Sequence, residues 1–505
     1  MSAKPADPAP RKLPHLAYNP ISAAGAALAL VVALTFLVLL GLSLYTAQAS
    51  PYFGIFMYMV LPPVLVVGLL LIPLGMWRAR RRFRKTGKLP SEWPRIDLND
   101  PRHRTAAVIF VVGTLALTFI GAMSSYGAYH YSESVEFCGK TCHAVMEPEY
   151  VTYQNSPHAR VACTACHVGP GADWYVKSKL SGAYQVYAVA RGIYPRPIDT
   201  PIESLRPAQE TCEQCHWPEK TYGAQQKVLT HYKYDEANTA WPINLLIKTG
   251  GGEPRSGQAG IHWHMNIGVE VRYVARDEER QEIPWIEVRD RRTGRVTVYQ
   301  DTENPLTEEE LAAAAPRRMD CMDCHNRPSH IYRSPERAID EALYRREIDP
   351  GLPGIKALAV EAMTEEYPST VEAHRQIASR ITDHYRRERP DVIAGHTPVV
   401  EAAIGAVQRA YSRNIFPHMK ARWSAYPDNL GHFISPGCMR CHDGKHATPE
   451  GVAVTADCNA CHLILAQGPE SETLVAAGLP FEHPEDIGGV ELEMGCYECH
   501  TGTQP

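Results

Sequence analysis

The sequence predicts a membrane protein: three N-terminal transmembrane α-helices, then a mainly α-helical and irregular domain carrying a small β insertion. Three observations predict it. Long uncharged apolar runs are confined to the first quarter of the 505 residues. Forty prolines and 36 glycines argue against long regular elements in the remainder. One short motif built on cysteine and histidine recurs beyond the apolar runs and uses all 14 cysteines. An apolar fraction of 45% with 21% charged residues excludes a disordered or collagen-like chain.

The apolar runs are Ile21 to Ala47, Phe53 to Trp77 and Thr105 to about Tyr126. None contains Lys, Arg, Asp or Glu, and each reaches the ~20 residues a spanning helix needs. Lys4, Arg11 and Lys12 precede the first, and Arg78, Arg80, Arg81, Arg82, Arg84, Lys85 and Lys88 follow the second. Positive flanks stay in the cytoplasm. Residues 1–20 are therefore expected inside, 21–130 as three spans with a basic cytoplasmic loop at 78–104, and everything later outside the bacterial inner membrane, in the periplasm. Ala47-Gln48-Ala49 resembles a cleavage site, but the apolar core before it far exceeds a signal core, so an uncleaved anchor is expected. Residues 1–104 carry a balance of +9 and the remainder −14, which excludes a nucleic-acid-binding surface on the large portion.

Six copies of the motif read Cys-x-x-Cys-His: Cys163-Cys166-His167, Cys212-Cys215-His216, Cys321-Cys324-His325, Cys438-Cys441-His442, Cys458-Cys461-His462 and Cys496-Cys499-His500. A seventh, Cys138-Gly-Lys-Thr-Cys142-His143, is one residue longer. This is the attachment signature of haem c: two thioethers hold the porphyrin and the adjacent imidazole reaches the iron. Seven covalent haems c are expected, on the side of the membrane where the topology puts the motifs. Paired zinc sites or disulfides are the alternative, and they leave the seven histidines without a reason. For the longer Cys138 motif a local disulfide is the competing reading.

A second strong ligand makes each iron an electron relay, and a vacant position makes it a substrate site. Twelve further histidines lie beyond the membrane portion: His158, His231, His262, His264, His330, His374, His384, His396, His418, His432, His446 and His483. His158, His330, His432 and His446 stand closest to motifs and are the expected iron ligands. His374, His384 and His396 fall in helix-like segments such as Ser369–Arg387, where a solvated or core histidine is an equal reading. His262 and His264 alternate in an expected strand, on one face. Met146, three residues after His143, is a candidate thioether ligand of the first iron, with an ordinary buried methionine as the alternative.

Glu149-Tyr150, Ser156, His158, Val161, Cys163-Thr-Ala-Cys166-His167 and Cys321-Met-Asp-Cys324-His325-Asn-Arg-Pro-Ser-His330 resemble the NapC/NirT family of membrane-anchored tetrahaem quinol dehydrogenases. The resemblance runs from Glu136 to His330 and implies that His158 and His330 are distal ligands of other haems in a quartet. It departs in having three membrane runs, a stretched first motif, and some 100 residues between His216 and Cys321. A tetrahaem domain is expected at 131–335 with the β-containing insertion at about 217–320, where Val269–Val274 and Trp285–Val298 read as strands around an Arg292-Thr-Gly294 turn. Thr307-Glu-Glu-Glu310 reads as a capping box for a helix through Ala315. A helical region at 336–430 and a C-terminal trihaem unit at 431–505 complete the chain.

The expected function is a membrane-bound quinol dehydrogenase passing electrons from (mena)quinol through seven haems to a periplasmic c-type cytochrome or other redox partner. Quinol oxidation needs a proton acceptor at the membrane surface. Lys177 and Lys179 are the expected contacts, with Asp173, Glu136 and Glu147 as further candidates. The alternatives are a non-enzymatic electron-transfer subunit of a larger complex, and a terminal reductase with one open haem.

Overall fold

The computed structural model describes residues 17, 19–45, 61–86, 97–141, 143–169, 172–202, 206–216, 223–252, 260–469, 478–490 and 494–504. The chain divides into two compact units, residues 1–137 with 168–180 and residues 138–167 with 181–505.

The first unit holds α1 (Pro20–Tyr45), α2 (Leu61–Thr86) and α3 (Pro101–Ser132). Among the described residues two helical stretches, Pro20–Leu39 and Leu61–Thr86, are long and apolar enough to cross a membrane, where the sequence led to three. α1 and α2 pack closely because their facing positions are small. A Cβ on Gly25 would lie 2.6 Å from the Gly68 carbonyl, and one on Gly68 would lie 2.9 Å from the Ala29 nitrogen. Small residues at a helix crossing let backbones approach where lipid offers no hydrophobic drive. The Ser22 hydroxyl donates to the Ile72 carbonyl at 2.8 Å across the pair. The basic residues from Arg78 to Lys85, expected in a loop, continue α2 to Thr86. α3 starts at an Asp100 cap, whose carboxylate accepts from the Arg102 amide at 2.8 Å, and contains the third apolar run. The link around Pro51 lies outside the described residues.

In the second unit, α4 (His143–Gln154) and α5 (Cys163–His167) precede α6 (Ala172–Arg191), which begins in the first unit, and α7 (Ala208–Cys212). The β structure is larger than the expected hairpin insertion. β1 (Gln225–Tyr232) pairs with β2 (Ala240–Ile247), and β2 pairs with β8 (His462–Gln467). A second sheet has the order β6-β3-β4-β5-β7, from Arg317–Arg318, Val269–Val274, Trp285–Asp290, Val296–Asp301 and His446–Ala447. β7 and β8 come from the segment expected as a separate C-terminal unit, so its backbone is tied into the same sheets as residues 225–318. His262 and His264 sit in a 3₁₀ turn, Ile261–Met265, instead of a strand. The capping box on Thr307 starts α8 (Glu308–Ala313), two residues shorter than expected.

After the short motif helix α9 (Cys321–Cys324), four helices follow: α10 (Pro335–Tyr344), α11 (Ile355–Thr364), α12 (Thr370–Glu388) and α13 (Pro390–Asn414), the last kinked at His396, two residues before Pro398. The main hydrophobic core lies among them, built from Ile339, Leu343, Ile355, Val360, Met363, Ile377, Ile381, Tyr385, Val407 and Tyr411. Two further one-turn motif helices, α14 (Cys458–Cys461) and α15 (Cys496–Cys499), complete the element order.

Candidate functional site

Each Cys-x-x-Cys-His motif is about one helical turn, which explains its spacing. The amide of His216, His325 and His500 donates at 2.8 Å to the carbonyl of the first cysteine of its motif, and His442 does so at 3.1 Å. Cysteines three apart then share one face, with the histidine stacked a turn later. Side chains cap these turns: Asp320 accepts from the Met322 amide at 2.8 Å and Asp457 from the Asn459 amide at 2.9 Å. The stretched first motif is wound differently. Phe137–Thr141 forms a π turn, which takes up one residue more than an α turn. Gly139 there lies against the Tyr150 ring, and any side chain would strike it.

The histidines come in pairs. Between ring centres, His158 and His216 are 6.0 Å apart, His167 and His330 6.4 Å, and His262 and His325 6.3 Å. His264 and His442 are 5.8 Å apart, His432 and His462 6.2 Å, and His483 and His500 6.1 Å. Every pair joins one motif histidine to one outside the motifs. Metal–imidazole bonds of about 2 Å on each side, plus the distance from nitrogen to ring centre, put two rings sharing an ion roughly 6 Å apart. Among the described residues no cluster of three or more metal-ligating side chains exists. Two protein ligands per ion fit a macrocycle that supplies the other four, and the flanking thiols fit its covalent attachment. None of the thirteen described cysteines is in a disulfide.

Tautomers agree with this fit. The Nδ1 atoms of His158, His262, His264, His330 and His442 lie 2.7 to 3.1 Å from the carbonyls of Pro328, Thr249, Ile261, Glu149 and Thr455. A carbonyl only accepts, so each Nδ1 donates its proton and Nε2 keeps the lone pair, as in metal-bound histidines. Burial lowers the pKa of His167, His264, His325, His330, His432, His462 and His500, which keeps these rings in the neutral form that binds metal.

The motifs also neighbour one another in sequence order. α5 packs on α7, and α7 on α9. Burial pushes the thiols of Cys212 and Cys324 up to about 11 and that of Cys441 to about 12. Burial likewise raises Cys166, Cys461 and Cys496, and nearby thiols add to it: Cys215 at Cys166, Cys321 at Cys212, Cys438 at Cys324 and at Cys461, Cys458 at Cys496.

Of the expected distal ligands, His158, His330 and His432 each face a motif histidine. His446 does not. It is buried to 2% exposure, with Nδ1 2.9 Å from the Asp443 carboxylate and Nε2 2.6 Å from the Ile283 carbonyl. Both nitrogens are used, so its role in this geometry is structural, joining β7 to the loop before β4. Proximity to Cys441 made it a candidate, and a local polar partner decided otherwise. His483 was reachable only through the fold, because 16 residues separate it from His500 with no regular pattern between. His374 has Nε2 2.7 Å from the Ser412 hydroxyl. Met146 is half-buried on α4, while the His143 side chain lies outside the described residues.

In the first unit, the Lys177 ammonium stands 4.5 Å from the centre of the Trp174 ring. Lys179 donates to Glu133 at 2.9 Å, and Glu133 is the C-cap of α3. Glu133 was missed in the sequence, although it is the first carboxylate after the third apolar run. Glu136 is exposed, Glu147 lies 3.5 Å from His418, and the Asp173 side chain lies outside the described residues.

Residues 100–198 match the model of the NapC/NirT cytochrome c family, N-terminal region. The chain is 47% identical over 494 residues to the cytochrome c-type protein ImcH of Geobacter sulfurreducens, covering 97% of this chain and 96% of that protein. It is 32% identical over 110 residues to the cytochrome c-type protein NrfH of Wolinella succinogenes, covering 21% of this chain and 62% of that one. No solved structure matches the chain. NapC/NirT proteins are membrane-anchored, carry covalent haem c and act as quinol dehydrogenases in electron transfer. The paired histidines, the thiols beside them and nearly full-length similarity to a cytochrome c-type protein place this chain in the NapC/NirT cytochrome c family.

Proposed function

We propose that the chain is a quinol dehydrogenase of the bacterial inner membrane. It carries seven haems c and delivers electrons from (mena)quinol to a periplasmic c-type cytochrome or other redox partner. Haem, when bound, supplies one-electron transfer that splits the two-electron oxidation of a quinol. The observation that carries this reading is the file of six motif histidines, from His167 to His500, each opposed by a second imidazole. Saturated ligation suits relays and leaves a terminal reductase only the Cys138 motif as an open iron.

α3 counts here as a third span, from Thr105 to about Tyr126, with the basic end of α2 in the cytoplasm and the haem-binding unit in the periplasm. Quinol oxidation releases two protons with its two electrons. Glu133 at the end of α3, paired with Lys179 of α6, handles them in turn: its carboxylate accepts one hydroxyl proton and passes it to periplasmic water before accepting the second, while the Lys179 ammonium, already protonated, holds the headgroup oxygen left anionic. Lys177 on the same helix adds positive charge. The purified chain in lipid nanodiscs should reduce its own haems when given a menaquinol analogue. Reduction by dithionite but not by quinol would reassign it as an electron-transfer subunit fed by a partner protein.

A further inference from the structure

Residues 261–265 do more than connect two sheets. In the sequence Ile-His-Trp-His-Met, one 3₁₀ turn presents His262 to His325 at 6.3 Å and His264 to His442 at 5.8 Å between ring centres. The two motif histidines belong to different motifs, 117 residues apart in sequence. We propose that this turn is a double axial-ligand element: His262 binds the iron held by Cys321 and Cys324, and His264 the iron held by Cys438 and Cys441.

The turn is built to hold two rings. Its first amide, Ile261, donates to the Lys248 carbonyl at 2.8 Å, next to the end of β2. Gly260 lies so close to Gly250 that a Cβ would be 2.7 Å from the Gly250 nitrogen. On the far side, Asn266 donates to the Gly251 and Gly252 carbonyls, both at 2.8 Å. His262 Nδ1 is fixed by the Thr249 carbonyl at 2.7 Å and His264 Nδ1 by the Ile261 carbonyl at 2.9 Å. Trp263 packs into the apolar cluster of Val271, Tyr273, Ile283 and Ile286, so the residue between the ligands is the anchor of the turn. Both rings therefore present Nε2, with orientation set by backbone and by one half-buried aromatic. Consecutive haems served from one rigid turn are held at a fixed separation, and this turn joins the motifs of the first four haems to those of the last three. The inference rests on covalent haem, and it stands whether or not quinol is the donor.

Ring orientation makes the two sites separable. The His262 and His325 planes are 14° apart, whereas those of His264 and His442 are 85° apart. Near-parallel imidazoles give low-spin ferric iron a rhombic electron paramagnetic resonance spectrum, and near-perpendicular ones give a highly anisotropic signal. His262→Met should remove one rhombic species and His264→Met one highly anisotropic species. Each variant should keep a full haem mass and raise one midpoint potential, because thioether ligation favours ferrous iron. Imidazole added to His262→Ala should restore the rhombic signal. Spectra unchanged in both variants at full haem mass would overturn the assignment. Should the variants not accumulate, the unsubstituted protein decides: near-infrared magnetic circular dichroism should count six bis-imidazole irons, and fewer than six overturns it.

Discussion

Within the second unit the helical stretch α10–α13 and the Cys-x-x-Cys-His motifs are held in different ways. In α10–α13 the interior consists of side chains. Ile339, Leu343, Ile355, Val360, Ile377 and Ile381 have no exposed surface, and α12 is amphipathic, with Ala373, Ile377, Ile381 and Tyr385 turned inward. Around the motifs the described cysteines are half-buried or exposed, and the motif helices α5, α14 and α15 bury none of their residues. Such turns cannot stand on their own apolar area. Under the proposed haem attachment, porphyrin faces would complete the core there and couple cofactor attachment to folding, as in metal-dependent domains.

The largest expected effect follows from that difference. Replacing Cys321 and Cys324 by Ser should lower the mass by one haem and open the chain to limited proteolysis around 208–330 first. The backbone of α10–α13 should keep its hydrogen-exchange protection. Uniform loss of protection across both regions would show that they share one folding unit.

A second test sits where the two regions join. Lys356 is 1% exposed, with its ammonium 2.8 Å from Asp340, 3.8 Å from Glu336, 4.4 Å from the Tyr234 ring centre and hydrogen-bonded to the Tyr232 carbonyl. It ties α10 and α11 to β1. Lys356→Ala leaves two buried carboxylates without their cation and should cost about 3–5 kcal/mol in a urea titration. Burial raises the Glu336 carboxyl above its usual range, with Lys356 opposing and Asp340 adding to the rise. The folded protein thus binds this proton more tightly than the unfolded chain. Its contribution is present below the ordinary carboxylate range and lost as pH rises through the raised value. Glu336→Gln should therefore gain on the wild type in urea midpoint as pH rises across that window, and parallel pH profiles would refute the buried-carboxyl account.

What the sequence made legible follows the same division. Attachment motifs are local, so the spacing marks seven cysteine pairs with their histidines as candidate haem sites without a fold. The helices of α10–α13 were legible from apolar periodicity and from Pro390 and Pro398. Distal histidines are set by tertiary contact. His158 and His330, singled out through a family resemblance, and His432, singled out by proximity, each face a motif histidine. The same proximity argument misassigned His446, whose partners Asp443 and Ile283 outweigh nearness to Cys441. The β structure was underestimated because β7 and β8 pair with strands that start some 150 to 220 residues earlier, which periodicity cannot register.

In the first unit the described side-chain core is small, built on Val32, Leu39 and Leu61. Close backbone approach supplements it. Gly68→Leu should destabilise the α1–α2 pair by about 1–3 kcal/mol through overpacking. Gly41→Leu, at a position with open space around the glycine, should be silent in the same detergent melt. Equal effects at both positions would mean that the crossing at Gly25 and Gly68 does not form.

The smallest effect on stability should come from the residues proposed for quinol. The Lys179–Glu133 pair is partly exposed, with 43% of the lysine side chain and 13% of the glutamate side chain accessible. Pairs of that kind contribute about 0–1 kcal/mol. Lys179→Gln and Glu133→Gln should therefore leave the melting temperature and the dithionite-reduced haem spectrum nearly unchanged, yet slow menaquinol-driven haem reduction by tenfold or more, since general base catalysis alone is worth about 10²–10⁴ in rate. Rates that fall only in proportion to stability would make the pair a helix-end clamp and shift the quinol site to Lys177.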